Sequence, residues 1–223
     1  MRHLILDIEA VAIADVETYL EPVSAPSNYK DPDKIAAYIV EETKRRIDKA
    51  ALDIDLARIV TIGYKLVTFG SHDGEEPESE EAHVMLCRDE IQEMTNLGIL
   101  WDTFWRVYIP GNTIAVTFSG LSYDLPLLLR RSLYLGVKSP RLQLDRFKHQ
   151  DVIDLMQILS LDGRLTWHSL KFYAQRFGIQ VDDELTGADI GAAVTAGDWA
   201  AVEKHCAADV QTTYLLAKRM GVL

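Results

Sequence analysis

Residues 3–8 read HLILDI, and Glu9 follows. An apolar run of strand-forming residues that turns acidic at its end is the pattern of a buried strand whose tip reaches a polar site. Side chains alternate across a strand, so Asp7 and Glu9, two positions apart, point to the same face. Two carboxylates held side by side form a claw for a hard cation. Acid pairs at strand ends also occur in chains that bind nothing, so this reading needs further acids from elsewhere in the sequence.

Outward from this strand, the chain alternates between extended and helical patterns. From Asp15 to about Ala57 a polar insertion contains Pro22, Pro26 and Pro32, then DPDKIAAYIVEETKRRIDKA, a charged surface helix with Asp31 or Asp33 as its cap. RIVTIGYKLVTF, from Arg58, reads as a β-branched strand, SHDGEEPESEE as turn and loop, and AHVMLC as the third strand. Asp89 to about Tyr108 repeats apolar residues at helical spacing, offering Ile91, Met94, Leu97, Ile99, Leu100, Phe104 and Val107 to a buried face before PGN ends the helix. TIAVTFSG, from Thr113, is a fourth strand, which an open α/β sheet sets beside the first. It leads into SYDLPLLLRRSLYLG, a helix that tolerates Pro126 in its first turn. HQDVIDLMQIL and TWHSLKFYAQRFG supply a fifth strand and further helices, and one long helix runs from about Asp198 to Met220. Strands first and alternating helices later predict an α/β fold with a mixed five-stranded sheet and helices on both faces.

The 223 residues are 48% hydrophobic and 26% charged, enough for one sizeable core, so a single domain spanning 1–223 is expected. The apolar run before Asp7 is too short for a signal peptide and no later run reaches the length of a membrane span, which predicts a soluble, cytoplasmic protein with no membrane partner. Cys87 and Cys206 have neither zinc-site spacing nor the numbers of a disulfide framework. A net charge of −11 argues against a nonspecific DNA coat, because counterion release needs many cations facing phosphate. It is compatible with clustered carboxylates around divalent metal and a locally basic cleft. Arg130, Arg131, Lys138, Arg141, Arg146 and Lys148 fall in a stretch whose only acid is Asp145, while Asp73 to Glu93 is dominated by Asp and Glu. The basic stretch reads either as a surface for a nucleic-acid backbone or as ordinary solvated loop charge.

Asp124 sits where the fourth strand hands over to its helix, and its plain reading is a helix N-cap. Asp209 lies in the last helix among Ala207, Ala208, Val210 and Leu215, and a carboxylate on a buried helical face is costly unless paired or metal-bound. His205, four residues earlier, shares that face, either as part of a site or as the surface partner of Asp209.

Together these residues resemble the DEDD (DnaQ-like) exonuclease superfamily, especially the predicted exonucleases related to the proofreading domain of family B DNA polymerases. LDIEA resembles the first motif, an apolar strand ending in Asp-x-Glu. FSGLSYDLPLL resembles the second, usually Asn-Gly-x-x-Phe-Asp before an apolar helix. GDWAAVEKHCAADVQTTYLL resembles the third, a Tyr and an Asp four residues later followed by Val and Thr. The insertion through NYKDPDKIAAYI is also similar to one carried by some of these proteins. The sequence departs from the pattern at Ala10, where Thr or Ser is usual, at Ser119, which replaces Asn, and at His205, which occupies the tyrosine position. The histidine branch of the superfamily places its His five residues before the Asp, so His205 joins the chemistry of one branch to the spacing of the other.

The resemblance implies a ribonuclease-H-like fold and metal-dependent 3′-5′ hydrolysis of phosphodiester bonds, in single-stranded DNA or RNA, to nucleoside 5′-monophosphates. It implies two divalent cations, Mg²⁺ or Mn²⁺: Asp7 bridging both, Glu9 and Asp209 on the water-activating one, and Asp124 supporting the second, partly through water. His205 would orient or deprotonate that water. Ile8, Ala10, Tyr123, Arg130 and Arg131 are the substrate-binding candidates. The implied partners are a nucleic-acid 3′ end and a DNA polymerase or replication or repair protein. The competing readings are an endonuclease on the same fold and a catalytically inactive nucleic-acid-binding or polymerase-docking module.

Overall fold

A computed structural model describes residues 1–70, 77–107, 113–142, 144 and 152–223. The run that opens the sequence forms β1 (Arg2–Ala12), longer at its far end than its apolar core, because pairing continues past the acids. In chain order there follow α1 (Pro32–Ala50), β2 (Ala57–Thr68), β3 (Ser79–Leu86), α2 (Glu90–Val107), β4 (Thr113–Thr117) and α3 (Asp124–Tyr134). The chain continues through β5 (Val152–Asp154), α4 (Leu155–Leu159), α5 (Leu170–Arg176), α6 (Ile190–Ala196) and α7 (Trp199–Arg219). The strands form one five-stranded sheet in the order β3-β2-β1-β4-β5. β1 lies antiparallel to β2 and parallel to β4, and β4 is parallel to β5, so the sheet is mixed, with the acid-bearing strand at its centre.

Alternation along β1 divides its side chains between two helical layers. Leu4, Leu6 and Ile8 pack with Leu97, Leu100, Trp101 and Phe104 of α2 and Leu125, Leu127 and Leu128 of α3. Ile5 packs with Leu155 of α4, Leu170 and Tyr173 of α5, and Val210 and Tyr214 of α7. Asp7 and Glu9 share the parity of Ile5 and therefore face the α7 layer. The register of β1 on β2 slips between Glu9 and Ala10, leaving Val60 as an extra residue in β2, a bulge just beyond the acid pair.

α1 buries only Ala50, as its charge density predicts, and Asp31 is its cap, accepting from the Asp33 amide at 3.0 Å. The expected apolar face of α2 needs correcting. Ile91, Met94 and Ile99 are exposed, and the buried stripe runs through Glu93, Leu97, Leu100, Trp101 and Phe104. The stripe can include Glu93 because Arg131 of α3 meets it inside the core, Nε donating to Oε1 at 2.7 Å and Nη2 to Oε2 at 2.8 Å. The Ile59 amide donates to the same carboxylate at 3.0 Å. The predicted ends of α2 at Tyr108 and PGN, the start of HQDVIDLMQIL and most of the acidic loop after Ser71 lie outside the described residues. Among the described residues no helix is long and apolar enough to cross a membrane.

A candidate active site of four carboxylates

Gly63 of β2 is the register partner of Asp7, and it determines how near α7 comes to the acid pair. A Cβ there would stand 2.6 Å from Cys206 Sγ and 2.9 Å from Val210 Cγ2, so α7 packs directly on the glycine backbone. That approach brings His205 and Asp209 to β1: His205 Nε2 lies 3.2 Å from Glu9 Oε1 and 4.0 Å from Asp209 Oδ2. Ligand atoms of Glu9, His205 and Asp209 all fall within 4.8 Å of one another.

Asp124 arrives from the opposite side of β1. It does not cap α3, whose cap position is Tyr123 with no side-chain bond. Asp124 is instead the first helical residue, and its Oδ1 accepts from the Ile8 amide at 3.2 Å. The turn that delivers it is tight. Ser119 adopts φ 66°, a left-handed conformation that Asn tolerates better than Ser, and Gly120 passes so close to Thr117 that a Cβ would meet it at 2.5 Å. Asp154, buried at the end of β5, pins this turn by accepting from the amides of Ser119 at 2.9 Å and Leu121 at 3.0 Å, while also accepting from Met156 at 3.0 Å to cap α4.

The four acids thus meet at a cleft of about 360 Å³ lined also by Ile8, Ala10, Leu52, Phe118, Ser119, Tyr123, Leu170 and His205. The electrostatics are those of carboxyl groups crowded together in a low-dielectric cleft. Burial raises Asp7 well above the usual carboxylate range, and Glu9, Asp124 and Asp209 push it further. Burial, with Asp209 and Asp124, lifts Glu9 to about 8, and burial lifts Asp124 to about 7 against the opposing amide bonds. Asp209 is raised by burial despite the nearby His205. Two buried oxygens, Asp7 Oδ2 and Asp209 Oδ1, have no hydrogen-bond partner in the protein. A carboxylate oxygen left bare in a low-dielectric cleft is costly, and divalent cations are the groups that suit several such oxygens at once.

Two of the expected roles change. Arg131 is 5% exposed and committed to Glu93, with a further bond to Glu90 at 3.0 Å, so the structure places it in the core and not in the lining of the cleft. Arg130 does not line the cleft; it pairs with Asp55 on the surface. Lys138 and Arg141 are exposed, and Arg146 and Lys148 lie outside the described residues. Ile8, Ala10 and Tyr123 do line the cleft. His205 is 2% exposed, which removes its reading as a surface partner of Asp209.

Sequence reasoning passed over three contributors. A glycine inside the strand pattern IVTIGYKLV signals close backbone approach, and Asp before an apolar helical start in VIDLM signals a cap, so Gly63 and Asp154 were detectable in kind. Asp183 carried no such signal. Its Oδ2 lies 2.8 Å from His205 Nδ1 and 2.8 Å from Lys171 Nζ. Burial opposes its ionisation, but the bonds from Lys171 and His205 outweigh that and hold it below the ordinary Asp range.

A mixed five-stranded sheet between two helical layers, with acids from the central strand and two helices meeting at one cleft, defines the ribonuclease-H-like class of exonuclease fold. Within that class the chain belongs to the family of predicted 3′-5′ exonucleases related to the exonuclease domain of PolB, which its residues 52–223 match. Asp124, His205 and Asp209 fall inside the matched span, and Asp7 and Glu9 precede it. No curated protein matches the chain. Among solved structures it is similar to the family B DNA polymerase of the hyperthermophilic archaeon Pyrobaculum calidifontis, with 17% identity and a TM-score of 0.57 over 99% of this chain. It is also similar to exonuclease I, with 10% identity and a TM-score of 0.52 over 99% of this chain. It spans 24% of that polymerase and 41% of that exonuclease, and at these identities the likeness shows the fold.

Proposed function

We propose that the protein is a metal-dependent 3′-5′ exonuclease in which one domain, residues 1–223, hydrolyses single-stranded DNA or RNA to nucleoside 5′-monophosphates. The observation that carries this reading is the convergence of Asp7, Glu9, Asp124 and Asp209 on one cleft with two buried carboxylate oxygens left unpartnered. These four would hold two divalent cations, Mg²⁺ or Mn²⁺. When bound, such a pair activates water on one side of a phosphate and stabilises the leaving oxygen on the other.

The chain's own groups do the rest. His205 Nε2, facing Glu9 and Asp209, orients the attacking water and accepts its proton. The apolar walls at Leu52, Phe118 and Leu170 suit the terminal base and sugar, and Ile8, Ala10 and Tyr123 border the same space. The family description and the fold shared with the Pyrobaculum polymerase and exonuclease I support 3′-5′ exonuclease chemistry for this chain.

The test is digestion of matched 3′-labelled DNA and RNA single strands in Mg²⁺, run beside calorimetric titration of Mn²⁺ into the protein. Labelled 5′-monophosphate as the first product, and Mn²⁺ binding abolished by Asp7→Ala, is the expected result. Defined internal fragments would instead mark an endonuclease, and failure to bind Mn²⁺ would mark an inactive binding module.

A further inference from the structure

His205 has both ring nitrogens engaged, and they face different ways. Nε2 looks into the cleft, 3.2 Å from Glu9 Oε1. Nδ1 looks away from it, 2.8 Å from Asp183 Oδ2, in a contact whose two side chains are each 3% exposed. Asp183 is itself held from several directions. Lys171 Nζ lies 2.8 Å from Oδ2 and donates to the Asp183 carbonyl at 3.1 Å and to the Leu185 carbonyl, and the Leu185 amide donates to Oδ1 at 3.2 Å. The carboxylate therefore cannot swing away from the ring without breaking a network that ties α5 to the segment before Gly187.

An ionised carboxylate has only acceptor sites, so the nitrogen facing Asp183 must carry the proton. In a neutral imidazole that leaves the other nitrogen bare. We propose that Asp183, anchored by Lys171, is a positioning residue that holds His205 in the Nδ1–H tautomer with its Nε2 lone pair directed into the cleft. Asp183 Oδ2 is the acceptor set against Nδ1, and the opposing pull, toward the other nitrogen, comes from the cleft carboxylates. Glu9 and Asp209 both face Nε2, and as bare carboxylates they would draw a proton onto it if Asp183 were absent. The arrangement follows the logic by which a third group orients the base of a nucleophile-base pair. Its consequence for rate rests on the nuclease reading above; its consequence for the tautomer does not.

The experiment reads both. Ring ¹⁵N spectra of Mg²⁺-loaded protein are recorded for wild type and Asp183→Ala, with the His205 signals identified by their loss in His205→Asn. Wild type is expected to show a protonated Nδ1 and a bare Nε2, and Asp183→Ala to show a proton on Nε2. With an oligonucleotide substrate, kcat of Asp183→Ala should fall roughly 10- to 100-fold, the range for partners that orient a site's inner groups, while KM stays put. A proton on Nε2 in the wild type or an unchanged Nδ1–H pattern in Asp183→Ala would overturn the proposal, and an unchanged kcat in an active enzyme would overturn the positioning role. The wild-type spectrum decides the tautomer even if the variant fails to fold. A wild type that shows the expected tautomer yet cuts neither DNA nor RNA overturns the nuclease reading and leaves the orientation of His205 standing.

Discussion

Asp7 has three acidic neighbours in Glu9, Asp124 and Asp209, and each of them makes its ionisation harder. Removing its charge should therefore have opposite effects on function and on folding. In Asp7→Asn the cation site loses a ligand, and Mg²⁺-dependent cleavage should fall to background, at least ~10³-fold, in the manner of a residue that acts as part of a unit. The metal-free variant should nevertheless unfold at a higher urea concentration than wild type at pH 8, because one buried like-charge repulsion is gone. Near-wild-type cleavage, or a less stable metal-free variant, would remove Asp7 from the ligand set. His205→Ala belongs to the same scale: as the group that accepts the water's proton, its loss should lower kcat by roughly 10²- to 10⁴-fold, checked in single-turnover assays. Equal rates for wild type and His205→Ala would leave water activation to the cations unaided.

Elements meet at this site through backbone contact and buried charge. Gly63→Ala places a methyl where Cys206 and Val210 already stand, so α7 must lift from β2. Overpacking of this kind costs about 1–3 kcal/mol, read as a lower urea midpoint, and the loss of activity should exceed the loss of folded protein because His205 and Asp209 ride on the displaced helix. Activity that simply tracks the folded fraction would show that α7 tolerates the shift.

The Glu93–Arg131 pair ties α2 to α3 in the same way. Arg131→Met leaves Glu93 buried with only the Ile59 amide, and should cost about 3–5 kcal/mol of stability. Glu93→Leu together with Arg131→Met should recover most of that, giving a large coupling energy in a double-mutant cycle. A variant of unchanged stability but raised KM would return Arg131 to the substrate-binding set.

For the whole molecule, the four clustered acids make stability, pH and cations one linked quantity. Glu9 rises to about 8 and Asp124 to about 7 in the folded protein, so the folded state binds protons more tightly than the unfolded chain. The stability that these two carboxyls contribute to the metal-free protein is thus full at pH values below the ordinary carboxylate range. It declines as pH rises, through about 7 for Asp124 and through about 8 for Glu9. Saturating Mg²⁺ should reverse the trend, adding about 2.7 kcal/mol at a hundred times its Kd. Thermal melts from pH 5 to 9 with and without Mg²⁺ check this; curves that coincide in the two conditions would mean the cleft does not hold cations.

The amino-acid sequence by itself determined what depends on neighbours along the chain. The HLILDIE run defines the central strand, and alternation places Asp7 and Glu9 on one face; apolar periodicity marks the helices; the spacing of Asp124 and of His205 with Asp209 carries the family resemblance. Only the tertiary structure decided what depends on residues far apart in sequence. Arg131 belongs to the core because Glu93 waits there, not to a basic surface. Asp124 bonds the Ile8 amide across the sheet and leaves its own helix uncapped. His205 is turned by Asp183, whose sequence VDDEL is indistinguishable from any acidic loop. Periodicity reports which way a side chain points from its own element. Which group it meets there is set by packing between elements, and for a charged side chain that partner decides whether it serves the fold or the site.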